Sequence, residues 1–185
     1  MSQGRIILTE ERFSLTIDRM CQQLVEVYDD FAGTCLVGIQ PRGVPLSDRI
    51  FSRLTALMGS LPLEYGKLDI TFYRDDFRTR NKPLKASPME MDFLVEEKNV
   101  ILVDDVLYTG RTVQAALTAL NHYGRPRRVE LLTLVDRQFN RHLPIQSDFT
   151  GITVDAVDEA YVKVCWKEIH GEDQIILFSE KQAAD

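Results

Sequence analysis

Cysteine is scarce in this chain and odd in number: Cys21, Cys35 and Cys165 are the only three among 185 residues. Scattered as they are, they imply no disulfide framework. Cys35 lies in an apolar strand pattern and Cys21 on a helical one, so ordinary packing accounts for them. The histidines His122, His142 and His170 stand far apart and near no cysteine at metal-ligand spacing, which argues against a structural zinc site. No apolar run approaches the length of a membrane-crossing helix. The N-terminus, MSQGRIILTEERF, lacks the apolar core and small-residue cleavage site of a signal peptide, so a cytoplasmic protein is expected. Basic residues are also in deficit, 22 Lys and Arg against 28 Asp and Glu, a net charge of −6. That argues against a surface basic all over, of the kind that holds nucleic acid non-specifically. Local patches are still open to it: Arg125, Arg127 and Arg128 after one helix, and Arg74, Arg78, Arg80, Lys82 and Lys85 in one loop. Three familiar signatures are missing as well: G-x-x-x-x-G-K-[ST], G-x-G-x-x-G and G-x-S-x-G.

What is present is an ordinary globular balance, 44% hydrophobic and 27% charged, in a length that suits one domain spanning 1–185. Apolar positions at Phe13, Ile17, Met20, Leu24 and Val27 predict an amphipathic helix over about 10–28. TCLVGIQ (34–40) reads as a buried strand feeding the loop PRG, and VPLSDRIFSRLTAL as the helix after it. LEYGKLDITFY (63–73) reads as strand, with Gly66 as a turn or bulge. The charged, aperiodic stretch 74–92 reads as a long loop, a length usually functional inside a domain. NVILVDD (99–105) is near-continuously apolar up to its acids, as a parallel strand buried on both faces should be. A helix is expected over 112–123, a strand over 128–137, and short strands at 152–157, 160–166 and 174–178. This alternation predicts an α/β fold with a parallel sheet and right-handed crossovers. Ligands bind such sheets beyond the carboxyl ends of the strands, where DD, PRG and DRQ all fall.

The stretch VILVDDVLYTGRTVQAA (100–116) carries the chemistry. Gly110 lets the backbone turn so that successive N–H groups form an anion nest. Thr112 opens a helix whose N-terminal N–H groups suit a phosphate, and Thr109 and Thr112 add hydroxyl donors. Asp104 and Asp105, immediately before this cradle, would repel a second phosphate and favour neutral hydroxyls or a developing positive charge. A sugar phosphate meets both demands.

VILVDDVLYTGRTV closely resembles the 5-phosphoribosyl-1-pyrophosphate (PRPP) motif of type I phosphoribosyltransferases and, more narrowly, that of the PyrR family, uracil phosphoribosyltransferases that also regulate pyrimidine operons. VGIQPRGVPL (37–46), LDITFYRDDF (68–77), GRPRRVELLTLVDR (124–137) and LPI (143–145) fall in the order and context of that family, so the resemblance covers roughly 5–145. It implies the type I phosphoribosyltransferase fold: a mostly parallel sheet flanked by helices, core about 5–137, with a small β hood and C-terminal strands about 138–180 and a mobile lid about 74–92. It implies that Asp104 and Asp105 hold the ribose hydroxyls and that Val106, Leu107, Tyr108, Thr109, Gly110, Arg111 and Thr112 bind PRPP around its 5′-phosphate. Pro41, Arg42 and Gly43 would contact pyrophosphate, and Tyr73, Arg74, Asp75 and Asp76 would belong to the lid. Arg137 would lie at the base pocket, under a hood around Tyr161 and Val162. Catalysis would rest on Asp104, Asp105 and Arg42. Mg²⁺, held mainly by PRPP rather than by the protein alone, would serve as cofactor. The implied small molecules are PRPP, uracil and UMP or UTP, and a homodimer or larger homo-oligomer is expected.

The chain also departs from the family. Where the family's first helix carries Thr-Arg and then His three residues after the Arg, this helix has Asp18, Arg19 and Gln22. The family's G-K-N-I-P-T becomes Gly151-Ile152-Thr153-Val154-Asp155, with Ile152 in place of Lys. These changes count against RNA attenuation, since an acid repels a phosphate backbone; Arg19, Arg128 and Arg141 could still meet RNA of another shape. Pro41 sits where the family has Thr or a similar residue, fixing φ and easing a cis bond at 40–41. Two alternatives to a uracil enzyme stay open: a nucleotide-sensing RNA-binding regulator, and a purine-base phosphoribosyltransferase.

Overall fold

Helix α1 (Glu10–Tyr28) follows from the four-and-three spacing of Phe13, Ile17, Met20 and Leu24, all buried. Val27 is instead exposed: it lies on the edge of the stripe in the last turn, where Val25 and Tyr28 take over the packing. The computed structural model describes residues 4–74, 90–155 and 160–179.

Next come β2 (Thr34–Ile39), α2 (Val44–Met58), β3 (Glu64–Leu68), β4 (Asn99–Leu107), α3 (Arg111–Leu120), β5 (Arg128–Arg137) and β6 (Phe149–Val154), with a 3-10 turn at Asn121–Tyr123. The sheet order is β3-β2-β4-β5-β6, with every pairing parallel. One core lies on the α1 and α2 side of this sheet, with Phe13, Ile17, Leu46, Ile50 and Ile101; the other, with Val37, Leu102, Val113 and Ala116, lies on the α3 side. Both faces of β4 are therefore covered, which is why its sequence is apolar without alternation.

A second, antiparallel sheet, ordered β1-β8-β7, joins the N-terminal β1 (Arg5–Leu8) to β7 (Tyr161–Cys165) and β8 (Gln174–Phe178), with the short α4 (Lys167–His170) between the last two. Trp166 meets the Phe13 ring edge-on at 5.2 Å. The Arg49 guanidinium lies over the Trp166 ring at 5.0 Å and bonds Asp173 at 2.7 Å and Glu168 at 2.8 Å, clamping this sheet to α2.

Three expectations are corrected. The strand expected over 63–73 stops at Leu68, because Asp69 Oδ1 accepts from the Thr71 N–H at 2.8 Å and turns the chain. Gly66 makes no turn or bulge; it pairs in register with Val37, and a Cβ there would be 3.0 Å from the Phe93 ring. β4 does not end at its acids but runs on to Leu107, with Val106 opposite Val135 and Leu107 opposite Asp136.

Candidate active site

β4, buried on both faces, carries Asp104 and Asp105 inward with it: they are only 4% and 8% exposed. The Asp105 N–H donates to Asp104 Oδ1 at 3.0 Å. Burial pushes the Asp104 carboxyl well above the usual carboxylate range, and the neighbouring Asp105 charge pushes it further. Burial likewise raises Asp105 to about 6, against the pull of the Arg42 charge. The protein thus stores two acids within a strand, near its carboxyl end, with less water around them than their charge calls for. A ligand that brings hydroxyl donors or positive charge relieves that cost.

The loop after β2 reaches this pair. The Gln40–Pro41 peptide is cis, Pro41 and Arg42 are exposed, and Gly43 is buried at the start of α2. A Cβ on Gly43 would lie 2.1 Å from the Val103 carbonyl oxygen and 2.8 Å from that of Ile39. Only glycine lets the loop lie this close to β4 one residue before the acids. Gly43→Ala is therefore expected to destabilise the fold by about 2–4 kcal/mol, measured by urea denaturation. A wild-type value would show that the close approach carries no weight.

Beyond Leu107, which is buried as the last residue of β4, the chain turns through Tyr108 and Thr109 to Gly110 at φ 88, and α3 begins at Arg111. The first N–H groups of α3, including that of Thr112, lack intrahelical acceptors by helix geometry. At the end of β5, Arg137 is 4% exposed, and its Nε and Nη2 have no hydrogen-bond acceptor. Its guanidinium lies 3.9 Å from the centroid of the Tyr108 ring. Acids, PRG loop, glycine turn and Arg137 thus converge at the carboxyl edge of β2, β4 and β5.

Other expected site residues lie elsewhere. Val162 is buried in the core on the α1 side, and Tyr161 packs against the Phe178 ring at 6.4 Å. Tyr73 meets the His122 ring at 5.5 Å, tilted by 50°, and lines a cavity of about 410 Å³ with Leu68, Phe72 and Tyr123; none of Asp104, Asp105, Arg42 or Arg137 borders it. Arg74 is half-buried, whereas Asp75 and Asp76, with most of the expected lid, lie outside the described residues. Among the described residues no group of three His, Cys, Asp or Glu side chains converges on a point. The carboxylates of Asp104 and Asp105 form a donor set that fits a magnesium ion carried mainly by substrate oxygens.

Sequence reasoning missed several members of the site. Gln40 Oε1, one residue before Pro41, and Asn140 Nδ2, one residue before Arg141, are buried with no hydrogen-bond partner among the described residues. The segment from Arg141 to Ile145 braces the glycine turn: Arg141 Nη1 donates to the Tyr108 carbonyl, the His142 N–H to that of Thr109 at 3.0 Å, and Leu143 and Ile145 close over Gly110. The motif LPI, which carries no polar group, hints at this region, and from the sequence Arg141 reads only as a residue that could meet RNA.

The phosphoribosyl transferase domain family matches residues 4–169. The bifunctional protein PyrR of a Picosynechococcus species is 43% identical over 171 residues, covering 92% of this chain and 95% of that one. That of Elusimicrobium minutum is 40% identical over 175 residues, covering 94% and 96%. Among solved structures, a hypoxanthine phosphoribosyltransferase from Staphylococcus aureus is similar at a TM-score of 0.69 and 20% identity, over 96% of this chain and 92% of that one. The Trypanosoma cruzi enzyme gives 0.71 at 15% identity, over 96% and 97%. These distant structures agree in fold.

Proposed function

The chain belongs to the phosphoribosyltransferase domain family and, within it, to the PyrR family, and from that premise we propose that it converts uracil and PRPP to UMP and pyrophosphate. The observation that carries this reading is the pair of buried carboxylates set directly before a left-handed glycine turn at a helix N-terminus. PRPP lays its 5′-phosphate against the turn and its ribose hydroxyls on Asp104 and Asp105. As the bond to pyrophosphate breaks, positive charge grows on the ribose, and two carboxylates in a water-poor setting stabilise it. Arg42 neutralises the leaving pyrophosphate. Mg²⁺, bound through PRPP oxygens beside these acids, would share that neutralisation.

Arg137 supports a base bearing carbonyl oxygens. A guanidinium only donates, and its unpartnered Nε and Nη2 call for an acceptor that uracil supplies. Hypoxanthine and guanine also carry such an oxygen, so they are the competing substrates. Regulation through RNA is disfavoured for this chain. Asp18 places an acid on this face, paired with Arg53 at 2.6 Å, and Arg19 Nη2 is already engaged by the carbonyls of Thr150 and Gly151.

The test is nucleotide formation by the purified protein with PRPP and Mg²⁺, offering uracil, hypoxanthine, guanine and orotate separately. UMP from uracil alone is expected. IMP or GMP as the main product would move the base assignment, and no product from any base would move the weight to a nucleotide-sensing regulator.

A further inference from the structure

The glycine turn that follows β4 is held from outside by one side chain, and its grip has a direction. Arg141 donates through Nη1 to the Tyr108 carbonyl and through Nη2 to Asp136 Oδ1. The next residue's N–H, that of His142, takes the Thr109 carbonyl at 3.0 Å. Two consecutive peptide planes are therefore fixed by their oxygens toward the 141–142 segment. In a trans peptide the N–H points opposite to the C=O, so the N–H groups of Thr109 and Gly110 are turned to the other side, away from Arg141. Two successive N–H groups facing one way, just ahead of the start of α3, form an anion nest. Without the brace the same two peptides could flip and offer carbonyl oxygens, which repel a phosphate.

We propose that Arg141 is a positioning residue for phosphate binding, holding the Tyr108–Gly110 peptides in the orientation that presents donors rather than acceptors. Its anchor is well made: the Arg141 and Asp136 side chains are 21% and 14% exposed, and Gln138 Nε2 donates to the other oxygen of Asp136 at 3.0 Å. The same guanidinium ties the turn to the end of β5, where Arg137 lies under the Tyr108 ring. Arg141 itself lies behind the turn, and it acts on the phosphate through the backbone.

This inference rests on reading Tyr108–Thr112 as the phosphate cradle, and the experiment separates the two. Calorimetric affinities for UMP and for uridine are measured on the wild-type protein, Arg141→Met and Arg141→Lys. The ratio of the two affinities reports the phosphate contribution alone. In the wild type UMP should bind far more tightly than uridine. In Arg141→Met the UMP affinity should fall about tenfold or more while that of uridine stays within about twofold, and Lys should restore part of the ratio. A wild-type protein that binds both ligands equally would remove the cradle itself. A wild-type preference for UMP that persists undiminished in Arg141→Met would remove the role of Arg141. Should the Met variant fail to fold, the isosteric Asp136→Asn loosens the same anchor and is held to the same ratio.

Discussion

Asp105→Asn is expected to lower turnover about 10²–10³-fold and, at the same time, to make the ligand-free protein more stable at pH 8 by about 2–3 kcal/mol. Both effects come from one cause. Burial raises the Asp105 carboxyl from 3.8 to about 6, so between those values the folded chain holds a proton that the unfolded chain has released. Unfolding in that window gives up the proton, and folding stability falls as pH rises from about 4 to about 6. Above about 6 the full cost of a buried carboxylate is present, about 3 kcal/mol for a shift of that size. Asn has the same shape and no charge to bury, so its advantage is complete at pH 8 and fades as pH drops toward 4. Asp104 is shifted in the same direction and keeps its own contribution in the variant. The expected catalytic loss has the opposite sign for the same reason: in the proposed reaction the carboxylate that burdens the empty fold would stabilise the cation-like ribose. Thermal unfolding of both proteins at pH 4.5 and pH 8, beside steady-state turnover, checks the pair of effects. A variant no more stable than wild type at pH 8 would show that the acid is better solvated than its burial implies. Unchanged turnover would remove its role under the ribose.

The sequence carried the main sheet plainly because that part of the fold is written in local periodicity. Phe13 to Leu24 mark α1, VILV marks a strand covered on both sides, and Gly110 with Thr112 marks a turn into a helix. The rest depended on partners distant in sequence. β1 is four residues long, with only Leu8 fully buried, and it exists because β8 pairs with it across the length of the chain. Arg5, opposite Leu177, gives no local sign of that contact. The reach of β4 past its acids was equally hidden. Asp104 and Asp105 look like a strand end, and only the register with β5, Leu107 against Asp136, shows them embedded. That register is what raises their pKa values, so the electrostatics of the site were no more legible than the pairing. The brace from Arg141 to Ile145 has no period at all. It stands on a carbonyl of Tyr108 more than thirty positions earlier in the chain, and a hydrogen bond to a backbone oxygen leaves no mark in the identity of the residue that accepts it.

Arg137→Met should separate binding of the base from binding of PRPP. Arg137 is almost wholly buried, and two of its nitrogens have no acceptor. Burying a cation with only part of its donors satisfied costs several kcal/mol, of which the Tyr108 ring beside the guanidinium returns about 1–2. Met fills a similar volume with nothing to desolvate, so the variant should unfold at a higher temperature, a gain of about 1–2 kcal/mol once the lost ring contact is counted. Its kcat/KM for uracil should fall about 10²-fold, the loss of charged hydrogen bonds to a carbonyl oxygen in a water-poor pocket. The KM for PRPP should change little, because the proposed phosphate and ribose contacts are assigned to β4 and the turn after it. Arg137→Lys should not rescue uracil turnover, since an ammonium lacks the planar pair of donors and is harder to strip of water. The pattern distinguishes a base-reading guanidinium from a structural one. A structural arginine would leave the variant less stable and both substrates equally affected, whereas a fold strengthened by the loss of Arg137 while uracil alone is no longer used would place the missing acceptor on the base.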